Sequence, residues 1–114
     1  MVVSAHEHLF WRLLPMYNFT ILSGTNISNP YDNPNGITYI TTGSAGSSEG
    51  HAPINPDSKD KKWLVYHNYD FGFTRLTMRD RLHLVLEQTS DPKGGTIIDK
   101  VDLIKKQDKP RWLL

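Results

Sequence analysis

Three segments in the second half of the chain alternate apolar and polar side chains, and this alternation restricts the fold more than any other feature. The segments are residues 73–78, 81–88 and 96–104. A period of two residues places successive side chains on opposite faces of an extended strand. The dipeptide Arg79-Asp80 separates the first two segments, and a turn with Pro92 and two glycines precedes the third. We therefore predict an antiparallel sheet whose first two strands form a hairpin.

The first half of the chain predicts two further strands separated by long loops. Residues 1–5 are short and apolar, and residues 37–41 are β-branched and aromatic throughout, which favours strands. Residues 23–36 are rich in Asn, Pro and Gly, and residues 43–62 begin with a run of Gly and Ser. Both segments are expected to be loops. At most a helical turn or two is expected, near residues 9–14 or 59–65.

Composition excludes several classes of protein. The 114 residues suit one domain, and a content of 38% hydrophobic and 22% charged residues is typical of globular chains. The 13 basic and 12 acidic side chains nearly cancel, so the charge balance gives no support for nucleic-acid binding. No apolar run is long enough for a membrane span. The absence of cysteine excludes disulfides and thiolate metal sites.

His6 and His8 form the pair that most resembles a metal-binding motif. Two histidines spaced by one residue on an extended segment project to the same side and can converge on one ion or on two neighbouring ions, while Glu7 points away. The alternative is a surface pair without metal, because a catalytic zinc site needs three protein ligands. The spacing alone leaves both interpretations open. His67 and His83 are expected to be ordinary sheet residues.

The glycine-rich run at residues 43–50 offers small side chains and backbone N–H groups that an anion can approach closely. Ser44, Gly46 and, at the end of the run, His51 are therefore candidate substrate-binding residues. The alternative is an ordinary flexible connection, since the run lacks the lysine and the following helix of a P-loop.

Two asparagines match the acceptor pattern for N-glycosylation, Asn18 in Asn-Phe-Thr and Asn26 in Asn-Ile-Ser. Glycosylation at these positions would require a secreted or lumenal protein. Residues 1–6 contain no basic segment followed by an apolar stretch, so no secretory signal is expected within this chain.

Several short motifs follow one another in a recognisable order. They are Ala-His-Glu-His at residues 5–8, then Arg12, Pro15 and Tyr17-Asn18, then Ile-Thr-Thr-Gly-Ser-Ala-Gly at residues 40–46, and Tyr-Asp-Phe-Gly-Phe-Thr-Arg-Leu at residues 69–76. The set resembles the C-terminal third of the purple acid phosphatases, especially the animal long-form, acid phosphatase type 7-like members. The resemblance covers residues 1–105 and leaves residues 106–114 as a tail. It implies an α/β protein: the C-terminal part of a four-layer α/β/β/α metallophosphatase domain, itself mostly antiparallel β with long loops.

The resemblance also implies a function. His6 would bind the divalent ion, zinc, manganese or iron, and His8 the ferric ion, of a dinuclear centre that hydrolyses phosphate monoesters through a metal-activated water. This sequence departs from the family pattern where Ala5 replaces a glycine, and where Phe-Trp-Arg at residues 10–12 replaces Tyr-Glu-Arg. The second change removes an acidic residue beside the histidines.

The family's other metal-binding blocks would lie upstream of Met1, so the partner required is an N-terminal metallophosphatase portion. No catalytic residue is assigned in this chain, which is expected to be inactive alone. A half-sheet without its partner is also expected to be marginally stable or to associate. The alternative function is a non-catalytic β-rich binding or structural module from a truncated paralogue.

Overall fold

The computed structural model describes residues 1–50 and 62–106, and the regular elements within them are β-strands. The strands are β1 (Val2–Ser4), β2 (Phe10–Leu13), β3 (Met16–Tyr17), β4 (Thr20–Ile21), β5 (Tyr39–Thr42), β6 (Leu64–Asn68), β7 (Thr74–Met78), β8 (His83–Ser90) and β9 (Thr96–Ile104). The prediction of a mostly β chain with long loops is therefore confirmed. No helix among these residues is long and apolar enough to cross a membrane.

A four-stranded sheet in the order β1-β5-β2-β6 carries the first half of the chain. β1 runs parallel to β5, whereas β2 is antiparallel to both of its neighbours. The helical turn expected near residues 9–14 was wrong, because β2 uses its backbone to pair with β5 on one side and β6 on the other. Burial alternates along β2, with Phe10 and Arg12 buried and Trp11 and Leu13 half-buried, which is a strand period.

The predicted antiparallel sheet of the second half is confirmed as β7-β8-β9. Its central strand β8 is covered on both faces, since the adjacent residues Val85 and Leu86 are both buried. A register shift between Gln88 and Thr89 marks a bulge near the end of β8, and such irregularities redirect the side chains beside them.

The core joins the two sheets and one long loop. The buried cluster contains Phe10 from β2, Ile40 from β5, Leu86 from β8, Val101 from β9 and Tyr31 from the loop at residues 23–36. Burying a side chain of this size stabilises a fold by about 2 kcal/mol. The structure therefore confirms the predicted loop and shows that Tyr31 anchors it in the core.

Arg12 of β2 forms an ion pair with Asp99 of β9, and this pair links the two sheets. Its Nε and Nη2 each donate a hydrogen bond of 2.8 Å to one carboxylate oxygen, and Nη1 donates to the Tyr31 hydroxyl at 3.0 Å. The side chains of Arg12 and Asp99 are only 11% and 8% exposed. Burial alone would lower the pKa of Arg12, but the hydrogen bonds to Asp99 and Tyr31 raise it above its usual range. Arg12 therefore stays charged.

Candidate functional site

The segment carrying His6 and His8 connects β1 to β2 and is bent, not extended as the sequence led us to expect. The Leu9 N–H donates to the Glu7 carbonyl at 2.9 Å, which closes a three-residue turn centred on His8. The alternation rule for strands therefore does not set the directions of the two imidazoles.

Gly43 explains how this bent segment passes over the end of β5. Its N–H donates to the Leu9 carbonyl at 2.9 Å. A Cβ atom at Gly43 would lie 2.0 Å from the Glu7 carbonyl oxygen and 2.5 Å from that of Ala5. Because both obstacles are backbone atoms, only glycine allows this close approach. Sequence reasoning placed Gly43 in a candidate anion-binding loop and missed this packing role.

His8 is half-buried, and a carbonyl distant in sequence holds it. Its Nδ1 lies 2.8 Å from the carbonyl oxygen of Gly50. His6 is exposed. The two histidines therefore differ in environment: the imidazole of His8 has a hydrogen-bond partner in the protein, whereas His6 extends toward solvent.

A cavity of about 320 Å³ opens beside His8. Its walls come from the glycine-rich run and from the segment before β7, and they include Ser44, Ser47, Asp70 and Phe71. A second, more open depression also includes His8 and is lined by Gly46 and Glu49, among others. The structure therefore brings His8 together with two of the three candidate substrate-binding residues. The third, His51, lies outside the described residues.

A buried polar network ties this wall to the second sheet. Gln88 is fully buried on β8, and its Nε2 donates to the Ser44 hydroxyl oxygen at 3.2 Å. Thr74 donates its hydroxyl to the Gln88 carbonyl oxygen, and the Thr74 hydroxyl also lies 2.6 Å from that of Thr42. Buried amides need such partners. The sequence did carry a signal for Gln88, since a polar residue continues the apolar row of Leu84 and Leu86.

Asp70 enters the cavity wall from the segment before β7. Its carboxylate accepts a hydrogen bond of 2.6 Å from the Ser90 hydroxyl, and its N–H donates to the Asn68 side chain at 2.7 Å. In the sequence analysis, the Tyr-Asp-Phe-Gly run served only as one of the motifs that resemble the family, and Asp70 was assigned no role. The run itself was the signal that could have identified it.

The remaining histidines behave as sheet residues, as expected. His67 lies on β6 with its ring edge-on to Tyr69 at 5.8 Å. His83 lies on β8, and its Nδ1 is 2.8 Å from both carboxylate oxygens of Asp80. The hydrogen bond with His83, assisted by the Leu82 N–H, lowers the pKa of Asp80.

The two candidate glycosylation residues are exposed on separate turns. Asn18 and Phe19 form the two-residue turn between β3 and β4, with φ values of 48° and 61°. Asn26 begins a turn in which its side-chain oxygen accepts hydrogen bonds from the N–H and the hydroxyl of Ser28, at 3.0 and 2.7 Å.

Comparison with known families decides what this arrangement belongs to. The family model for the iron/zinc purple acid phosphatase-like protein C matches residues 36–100, more than half of the chain. The chain belongs to the purple acid phosphatase family. The family match thus contains the glycine-rich run, Asp70 and Gln88, while His6 and His8 lie before its first residue.

Known purple acid phosphatases extend the similarity to most of the chain. Acid phosphatase type 7 of Danio rerio is 40% identical over 106 residues, which is 93% of this chain and 23% of that protein. Acid phosphatase type 7 of Mus musculus is 36% identical over 101 residues, which is 89% of this chain and 22% of that protein. The chain thus spans less than a quarter of the length of these relatives.

Part of a solved purple acid phosphatase has the same fold as this chain. The structure of the enzyme isolated from yellow lupin (Lupinus luteus) seeds matches with a TM-score of 0.69 and 26% identity, over 91% of this chain and 17% of that one. The described strands are therefore those of a C-terminal fragment of the purple acid phosphatase fold, as the sequence resemblance implied.

The purple acid phosphatase family binds dinuclear metal centres. Among residues 1–50 and 62–106, no group of three or more His, Asp or Glu side chains is close enough to hold an ion. Two imidazoles are suitable donors for zinc, manganese or iron. The imidazoles of His6 and His8 are therefore the donor type that such a centre accepts, but within residues 1–50 and 62–106 they do not form a complete ligand set.

Proposed function

We propose that this chain forms one wall of a dinuclear-metal acid phosphatase site that hydrolyses phosphate monoesters, and that it is inactive without the rest of the domain. The observation that carries the proposal is the position of His8, beside a cavity lined by the glycine-rich run and Asp70 in a purple acid phosphatase chain. A cavity with a few convergent polar groups is the usual form of a small-molecule site.

The proposed metal ligands are His6 for the divalent ion and His8 for the ferric ion. The partner of His8 supports this assignment, because a metal-binding histidine usually hydrogen-bonds a carbonyl or carboxylate through its other nitrogen. When bound, two such cations lower the pKa of a coordinated water and offset charge on the reacting phosphoryl group. This chain's own contribution is to hold His8 at the edge of the cavity, two residues after the exposed His6.

The proposed substrate-binding residues are Ser44, Gly46 and His51. Ser44 lines the cavity and accepts a hydrogen bond from Gln88, so its own hydroxyl hydrogen can be donated to a phosphate oxygen. Gly46 has a φ of 137° and open space where a side chain would be. A phosphate can therefore approach the backbone there closely.

A chimera would test the proposed function directly. The 114 residues would replace the matching segment of the acid phosphatase type 7 of Danio rerio. Metal content and hydrolysis of p-nitrophenyl phosphate at acid pH would then be measured for the chimera and for the chain alone. We expect a metal-loaded, active chimera and an inactive chain.

His6→Ala and His8→Ala should each lower activity and metal content in the chimera on the order of 100-fold or more. His67→Ala is the matched control, because His67 is an exposed histidine on β6 that lines neither cavity beside His8. Phosphatase activity in the 114-residue chain that survives both substitutions would refute the proposed roles.

A non-catalytic module from a truncated paralogue is the second candidate function. It is favoured by the lack of three convergent metal ligands in residues 1–50 and 62–106. Metal content separates the two candidates, since a non-catalytic module would leave the chimera without metal and without activity.

We further propose that the parent protein is secreted or lumenal and carries glycans at Asn18 and Asn26. Both side chains are exposed, and asparagine in this sequence pattern is the glycan acceptor in secreted proteins. Expression through a eukaryotic secretory pathway should give a mass that falls by one glycan in Asn18→Gln and in Asn26→Gln. An unglycosylated secreted product would contradict this proposal.

A further inference from the structure

We infer that the Gly50 carbonyl holds His8 in the tautomer with the proton on Nδ1, so that Nε2 is the nitrogen available to a metal ion. Gly50 is thereby a positioning residue, since it acts on the ion only through His8. The inference deepens the proposed function and rests on it for its metal-binding consequence. The tautomer itself is a property of the metal-free chain.

The argument for the tautomer begins with the chemistry of the two atoms. Nδ1 of His8 and the Gly50 carbonyl oxygen are 2.8 Å apart, which is a hydrogen-bond distance. A carbonyl oxygen has no proton and can only accept, so Nδ1 must donate. A neutral imidazole carries one N–H, which leaves a lone pair on Nε2. In an unconstrained histidine the proton favours Nε2, so this contact reverses the intrinsic preference.

The backbone of Gly50 explains why a glycine occupies this position. Its φ is 74°, in the left-handed region, which residues with a Cβ adopt only at a cost. A Cβ at Gly50 would meet no atom of residues 1–50 and 62–106 within 4 Å. An alanine there would therefore be disfavoured by backbone conformation and not by a clash, and relief of that strain would move the carbonyl away from His8.

Two separate restraints therefore act on His8. The turn closed by Leu9 and Glu7 sets its backbone, and the Gly50 carbonyl, which is 42 residues away in sequence, sets the rotation of its ring. A histidine whose backbone and ring are both restrained is already oriented before the ion binds. Loss of the hydrogen bond that orients a metal ligand commonly weakens metal affinity 10- to 100-fold.

The test measures the His8 tautomer in the metal-free 114-residue chain. Long-range ¹H–¹⁵N NMR at a pH of about 8.5, where imidazoles are neutral, distinguishes a protonated from an unprotonated ring nitrogen. The signals of His8 are assigned by their loss in His8→Gln. We expect a protonated Nδ1 and an unprotonated Nε2. A proton on Nε2 in the unsubstituted chain would overturn the inference without any further variant.

Gly50→Ala should shift the His8 population toward the Nε2–H form. Gly94→Ala is the matched control, because Gly94 has a φ of 71° and equally open space, in the turn before β9. Both variants should lower the unfolding midpoint to a similar extent, but only Gly50→Ala should change the His8 spectrum. Identical His8 signals in both variants would overturn the role of Gly50.

The consequence for metal is tested in the chimera with a competing chelator. We expect Gly50→Ala to weaken ferric-iron binding 10- to 100-fold, and Gly94→Ala to leave it unchanged. If His8→Ala leaves iron binding intact, the proposed function fails while the tautomer result stands. If His8→Ala abolishes binding and Gly50→Ala has no effect, the positioning role fails and the proposed function stands.

Discussion

Asp99→Ala is expected to destabilise the chain by about 3–5 kcal/mol, because it leaves the Arg12 guanidinium buried without its counter-charge. The pair is held by two hydrogen bonds of 2.8 Å, and the side chains are 11% and 8% exposed. Water can therefore solvate the remaining cation only after the two sheets separate locally. The loss is a large fraction of the 5–15 kcal/mol that typically stabilises a domain.

Urea unfolding followed by tryptophan fluorescence measures this loss. With a slope of about 2 kcal/mol per molar urea, the midpoint should fall by about 2 M. Arg75→Met is the control, because Arg75 contacts Glu87 at 3.4 Å with a side chain that is 54% exposed. Breaking such an exposed pair should cost less than about 1 kcal/mol.

The single variant Arg12→Met and the double variant Arg12→Met/Asp99→Ala complete the test. The double variant removes both charges, so its loss should be well below the sum of the two single losses, with a coupling of about 2 kcal/mol or more. A loss below about 1 kcal/mol in Asp99→Ala, or additive effects in the double variant, would refute the idea that this buried pair links the sheets.

Gly43→Ala should cost about 3 kcal/mol in unfolding experiments, since its Cβ would meet backbone oxygen at 2.0 Å. Gly46→Ala places its Cβ in open space and should lower the free energy of unfolding by only about 1 kcal/mol, because of the positive φ. Equal losses of unfolding free energy in Gly43→Ala and Gly46→Ala would contradict the steric argument. Gln88→Met keeps the length of the side chain but removes its hydrogen bonds, so the free energy of unfolding should fall by about 1–3 kcal/mol. A fall of less than about 0.5 kcal/mol would show that the network contributes little to stability. His83→Gln should raise the pKa of Asp80 toward its usual range, as followed by carboxyl ¹³C NMR across the acid range. Because the pKa of Asp80 is lowered in the folded chain, its pairing with His83 stabilises the fold at a pH above the ordinary carboxyl pKa. This stabilisation is lost as the pH falls through the lowered pKa. An unchanged pKa of Asp80 in His83→Gln would refute the assigned cause.

The elements that the sequence predicted well are those encoded by neighbouring residues. Alternation located β7, β8 and β9 within a few residues, because a period of two is a local property of an extended backbone. β2 was missed because Phe-Trp-Arg-Leu is too short and bulky to display its period. Its strand conformation depends on hydrogen bonds to β5 and β6, which come from distant parts of the chain.

The candidate site also contains some features that neighbouring residues encode and others that depend on distant parts of the chain. The order of motifs was enough to identify the family and to propose the two histidines as metal ligands, since residue types and their spacing are written in the chain itself. The bent path of the histidine segment could not be anticipated, because it depends on the backbone of Gly43 passing beneath it. Neither could the partners of Ser44, since Gln88 lies 44 residues away.

By itself, the sequence determined the β character of the chain, its family and the kinds of metal that its side chains suit. Only the tertiary structure decided which groups meet: Arg12 with Asp99 across 87 residues, and His8 with the Gly50 carbonyl across 42. The physical reason is the separation along the sequence over which each interaction acts. Backbone preference and periodicity act between neighbours, whereas a buried ion pair or an oriented imidazole requires both sheets to be packed before its partners come within 3 Å.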